Sequence, residues 1–128
     1  MKKLLVLGLL ILGISALSYA QKPVIKFNKY VHDFGQIKEE LGKVTYVFEF
    51  TNTGDADLVL NNVQASCGCT TPDWKQPPIA PGKKGVITVT YTTKGRPGPF
   101  NKTITIISNA EKAETLTIKG DVLVAEPK

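Results

Sequence analysis

Apolar and polar residues alternate with a period of two through most of this chain, and that period decides what it can fold into. Val44, Tyr46, Phe48 and Phe50 share one parity, while Thr45, Glu49 and Thr51 share the other, with Val47 the exception. Successive side chains of a strand point to opposite faces, so such a run is a strand buried on one side. Ile87, Val89 and Tyr91 alternate with Thr88, Thr90 and Thr92 in the same way. Ile104 and Ile106 alternate with Thr103 and Thr105, and Leu116, Ile118, Val122 and Val124 with Thr115, Thr117, Lys119 and Asp121. Threonine suits the outer face because its β-branch fits the pleat. Weaker strands are expected at Val24–Phe27, Val31–Phe34 and Leu58–Val63.

Turn chemistry separates these runs. Asn52-Thr53-Gly54-Asp55 closes one strand, and the glycine there permits a positive φ. Pro81-Gly82 fits a turn in which proline sets the first corner and glycine the second. Gly95 to Pro99 reads as a loop and Asn109 to Ala113 as a hairpin connection. The proline-rich stretch from Thr71 to Lys84 reads as irregular, either packed over one end of the fold or serving as a functional loop. About seven short strands at regular spacing predict an all-β fold, a β-sandwich.

The first twenty residues follow a different rule. Lys2 and Lys3 precede an apolar run, Leu4 to Leu17, and Ser18-Tyr19-Ala20 supplies small residues for cleavage. This is the pattern of a secretory signal peptide, residues 1–20, cleaved after Ala20. The run falls short of the ~18–20 residues of a membrane-spanning helix, so no transmembrane segment is expected after cleavage. The remainder, residues 21–128, has the length of one domain. The chain carries a net charge of +5, but its basic residues are scattered, with Lys83-Lys84 the one adjacent pair outside the leader. Nucleic-acid binders concentrate charge on a face or stripe, so no nucleic-acid partner is expected.

His32-Asp33-Phe34-Gly35-Gln36-Ile37 is followed by Phe48-Glu49-Phe50-Thr51-Asn52-Thr53-Gly54, then by Leu58, Leu60 and Val63. Ser66-Cys67-Gly68-Cys69-Thr70-Thr71, Pro81-Gly82, a strand ending at Tyr91, and Ser108-Asn109 come after. This order resembles the bacterial family catalogued as domain of unknown function 1573, from about Phe27 to Val122. Its members are small exported immunoglobulin-like domains, common in Bacteroidetes. The Phe-x-Asn-x-Gly piece is more distantly similar to the major sperm protein and cilia-associated domains, which are protein-interaction modules. The resemblance implies an immunoglobulin-like β-sandwich and export, and no established activity.

The chain's two cysteines, Cys67 and Cys69, stand one residue apart. An oxidising compartment favours a disulfide between them. In an extended strand their Cα atoms would lie about 6.5–7 Å apart, at the far limit for a bridge. Gly68 is expected to bend the backbone and bring them together. Such a bridge closes a minimal loop, removes little chain entropy and makes a poor staple; strain would ease its reduction.

Three readings of the pair stay open. It packs as two small thiols, it holds a soft ion such as Cu(I) or Zn(II), or it exchanges disulfides. In the metal reading, His32, the one histidine, is a third ligand, oriented by Asp33. In the plainer reading it is a hydrogen-bonded strand-end residue. Trp74, the one tryptophan, either caps the sandwich end or anchors a partner.

Catalysis finds little support, because no phosphate-binding loop, nucleophile elbow or paired histidine and nucleophile is present. Thiol–disulfide exchange at Cys67 and Cys69 is the one exception. The expected role is therefore a non-catalytic binding or structural module of the cell envelope, with an envelope protein or other macromolecule as partner. Soft-metal (copper) binding or redox exchange at the cysteine pair stands as the alternative.

Overall fold

The computed structural model describes residues 21–74 and 76–124. The expected leader lies outside them, and no helix among the described residues is long and apolar enough to cross a membrane. Eight strands follow in order: β1 (Ile25–Phe27), β2 (Val31–Lys38), β3 (Lys43–Asn52), β4 (Leu60–Ala65), β5 (Thr70–Asp73), β6 (Lys84–Thr92), β7 (Gly98–Ser108) and β8 (Glu114–Leu123). A 3-10 turn, Glu39–Leu41, joins β2 to β3.

The strands form two four-stranded sheets, ordered β1-β3-β6-β5 and β2-β8-β7-β4. All pairings are antiparallel except β2 with β8, which is parallel. The opening stretch therefore switches sheets, leaving β3 after β1 and joining β8 as β2. The β7–β8 hairpin forms around the expected connection.

Parity decides what is buried. Phe48 and Phe50 of β3, Ile87 and Val89 of β6, Ile104 and Ile106 of β7, and Leu116 and Ile118 of β8 all point between the sheets. Each large apolar side chain removed from water in this way contributes about 1.5–3 kcal/mol. Val47, the exception in the alternating pattern, keeps its outward parity and remains 49% exposed.

The structure departs from the sequence reading in two places. There are eight strands among the described residues rather than about seven, because Thr70–Asp73 pairs with β6 inside the stretch expected to be irregular. β5 contains Pro72, which lacks a ladder donor and is tolerated because this strand lies at the sheet's edge. Gly54 does not take a positive φ, whereas Gly82 does, at +80°. Gly54 is needed for a different reason: a Cβ there would overlap the backbone of Lys22 and Val24.

Candidate functional site

β4 ends in one sheet and β5 begins in the other, so Ser66 to Cys69 carry the chain across the edge of the sandwich. Each flank is anchored to its own sheet. The Ser66 N–H donates to the Thr103 carbonyl at 2.9 Å, and the Thr103 N–H donates to Ser66 Oγ at 3.1 Å. On the other side, the Thr92 N–H donates to the Cys69 carbonyl at 2.9 Å. Between the anchors, the Thr70 N–H reaches back to the Cys67 carbonyl at 3.3 Å, closing a turn.

That turn brings the Cα atoms of Cys67 and Cys69 to 5.3 Å, and the two are joined by a disulfide. The separation is shorter than an extended strand gives, as expected, but Gly68 is not the cause. Its φ is not positive, and a Cβ added to it would meet nothing within 4 Å. The hydrogen-bonded turn supplies the bend.

The two sulfurs differ in surroundings. Cys69 is 3% exposed and belongs to the core, while Cys67 is half-buried and packs against that core from the rim. The Cys69 N–H donates to Cys67 Sγ at 3.3 Å. Thr70 Oγ1 lies 3.8 Å from one sulfur and 3.7 Å from the other. A bridged pair presents no thiolate, so a soft metal would require its reduction first.

His32 is not brought to this site. β2 and β4 are the outer strands of the same sheet, with β8 and β7 between them. Three strand spacings put them about 14 Å apart. The expected set of Cys67, Cys69 and His32 is therefore not assembled, and the described residues contain no cluster of three or more His, Cys, Asp or Glu that could hold a metal. The His32 ring instead stacks on Tyr46 at 3.7 Å and meets the Phe34 ring edge-on at 4.6 Å. Burial holds its imidazole below the usual histidine range, and the Lys29 ammonium, 3.4 Å from Nδ1, acts in the same direction against a weaker opposing pull from Asp33.

Trp74 follows β5 directly, half-buried and packed against the core. Beyond it, the Gln76 side-chain amide bonds both the N–H and the C=O of Val86. A side-chain amide there takes the place of a strand's peptide group where β5 has ended.

Two further features escaped the sequence reading. Asn52 is fully buried with all four of its amide hydrogen-bonding positions filled. Its Nδ2 donates to the carbonyls of Ala56 (2.7 Å) and Ile79 (2.9 Å), and its Oδ1 accepts from the N–H groups of Gly54 (3.0 Å) and Val24 (3.3 Å). Its signal was a polar residue on the inward parity of β3.

The second feature is an open half-edge. β1 covers β3 only from Phe50 to Asn52, and the last bond on that side runs from the Asn28 N–H to the Glu49 carbonyl. Alternate residues present their backbone groups to the same side of a strand. Val47 and Thr45 thus face that side with no strand partner among the described residues. Exposed Val47 lies on β3 itself, and exposed Tyr30 and Val31 lie where the chain leaves β1 for β2.

Comparison with known proteins adds family and fold. A family model described as "Protein of unknown function (DUF1573)" matches residues 25–122. No curated protein matches the chain. Among solved structures, a protein of unknown function from Porphyromonas gingivalis W83 is similar with a TM-score of 0.68 at 19% identity, over 85% of this chain and 51% of that one. A PapD-like domain of human CEP192 is similar with a TM-score of 0.65 at 12% identity, over 87% of this chain and 98% of that one. The secreted serine protease VesC from Vibrio cholerae is similar with a TM-score of 0.58 at 19% identity, over 80% of this chain and 24% of the protease. The chain thus spans about half of the first of these and a quarter of the last. At such identities the likeness is one of fold: an open, immunoglobulin-like sandwich.

Proposed function

The chain belongs to the DUF1573 family, a membership that carries no activity with it, and we propose that it is an exported, non-catalytic binding module of the cell envelope. The module takes an extended segment of another envelope protein along β3. The observation that carries this reading is the open half-edge at Thr45 and Val47. An unpaired strand edge is a template for an added strand, whose main-chain bonds give affinity while side chains set specificity. The other edges are blunted. β1 has only three residues, and β5 has four and includes Pro72. β2 and β4 each carry a register shift. Such devices discourage pairing.

Export is favoured by the leader pattern and by a bridged cysteine pair, which persists in oxidising compartments. A similar fold within a secreted protease agrees with that setting.

The test is photo-crosslinking in the exporting cell. A photo-reactive residue at Thr45 is expected to capture a discrete partner, and one at Thr117, on the outer face of the other sheet, to capture none. Val47→Pro removes an edge-facing N–H while leaving the β3–β6 ladder whole, and should abolish the adduct. Equal capture at Thr45 and Thr117, or capture indifferent to Val47→Pro, would refute strand addition.

A further inference from the structure

We propose that the Cys67–Cys69 bridge is a thiol–disulfide exchange site, in which Cys67 trades bonds with an incoming thiol and Cys69 closes the ring again. Three observations carry it, none of them dependent on the strand edge.

The first is that the frame around the bridge does not need the bridge. Ser66 is tied to Thr103, Cys69 to Thr92, and Cys67 to Thr70, all through groups other than sulfur. Opening the ring leaves every one of these bonds in place, so the two sulfurs stay within reach of each other. The enclosed loop is minimal, so its opening returns little freedom to the chain.

The second is the asymmetry of access. A thiolate attacks a disulfide sulfur through a mixed-disulfide intermediate, and access decides which sulfur it reaches. Cys69 is 3% exposed, whereas Cys67 is only partly buried, at the rim. Attack therefore falls on Cys67 and expels Cys69.

The third is the set of donors. The Cys69 N–H points at Cys67 Sγ, and the Thr70 hydroxyl is within reach of both sulfurs. Hydrogen bonds to a charged group favour that form. The N–H favours the Cys67 thiolate, and the hydroxyl can serve whichever sulfur bears the charge.

The exchange balances as follows. One thiolate of a dithiol attacks Cys67 Sγ, the Cys67–Cys69 bond breaks, and a mixed disulfide forms. Cys69 leaves with the electron pair and takes a proton. The second thiolate of the dithiol then attacks its own sulfur in the mixed disulfide, releasing Cys67 as a thiolate. The dithiol loses two electrons and becomes a disulfide; the protein gains two and becomes a dithiol. Run backwards, the same steps reduce a partner disulfide and close the Cys67–Cys69 ring again.

Dithiothreitol is the probe. In the folded exported chain, the rate of bridge opening should rise in proportion to dithiothreitol concentration while the circular dichroism stays constant. Glutathione mixed disulfides mapped by mass spectrometry should lie on Cys67. Thr70→Val, nearly isosteric, should slow opening several-fold with no change in the unfolding midpoint. At pH 7 the thiol of Cys69→Ser should react with an aromatic disulfide reagent at least tenfold faster than that of Cys67→Ser. An opening rate independent of dithiothreitol, which would mean that the protein must unfold first, overturns the proposal, and it can be read even if the single-cysteine variants fail to fold. Adducts on Cys69, or equal rates for the two variants, overturn it as well. These measurements use no partner and no β3 edge, so their failure leaves the strand-addition reading untouched.

Discussion

Asn52 donates its side-chain amide to the carbonyl of Ile79 at 2.9 Å, across 27 residues of sequence. The same amide holds Ala56, Gly54 and Val24, so one side chain fixes the N-terminal entry, the turn after β3 and the return loop before β6. Removing it leaves buried backbone groups unsatisfied, at about 1–3 kcal/mol each where water cannot reach. Asn52→Ala should therefore cost about 3 kcal/mol in urea unfolding. Asn52→Asp should cost more, because a carboxylate would face two carbonyl oxygens. A loss under about 1 kcal/mol for Asn52→Ala, less than one unsatisfied group, would contradict this role.

Two glycines should behave in opposite ways. A Cβ at Gly85 would overlap the buried Phe50 ring and the Gln76 side chain, so Gly85→Ala should lower stability by about 1–3 kcal/mol. Gly68 has open space and no positive φ, so Gly68→Ala should lie within about 0.5 kcal/mol of the parent. It should also retain the bridge. Thermal or urea unfolding and thiol counting measure both, and a large loss at Gly68 would return the bend to the glycine.

The His32 imidazole sits below its usual range in the folded state, chiefly through burial. Between its folded pKa and the unfolded value of about 6.5, the unfolded chain binds more protons, so stability rises with pH across that window. The contribution is whole above about 6.5 and is lost as pH falls through the window toward the folded value. His32→Phe keeps a ring against Tyr46 and should flatten this part of the urea-midpoint profile. An unchanged slope in the variant would assign it to other groups.

The bridge should matter little to stability. A three-residue loop gives about 1.6 kcal/mol by the chain-entropy relation. The double variant Cys67→Ser, Cys69→Ser should therefore fold and unfold cooperatively, with a loss near that size. A loss above about 4 kcal/mol, more than the roughly 3 kcal/mol of a 15-residue loop, would make the pair a staple.

The sequence made the strands legible where alternation was long. β3, β6, β7 and β8 each run nine residues or more, enough for the period of two to declare itself. β5 did not, because four residues containing Pro72 carry too little pattern. His32 shares parity with Phe34, so its inward-facing, aromatic surroundings were half visible. Its distance from the cysteines was not, because sheet order is set by pairings between residues far apart in the chain. The closeness of Cys67 and Cys69 was legible from spacing; the hydrogen-bonded turn that produces it was not. The open half-edge on β3 arises where the first strand changes sheets, and no local pattern announces that switch.

The most direct measurement of strand addition is amide hydrogen exchange at Thr45 and Val47, compared between the purified chain and the crosslink-free complex isolated from its native cell. Both amides face the uncovered side of β3, so in the purified chain they should exchange rapidly beside protected neighbours Tyr46 and Phe48, which pair with β6. In the complex both should become protected. Rapid exchange at Thr45 and Val47 in the complex, with protection appearing on another strand instead, would contradict the account.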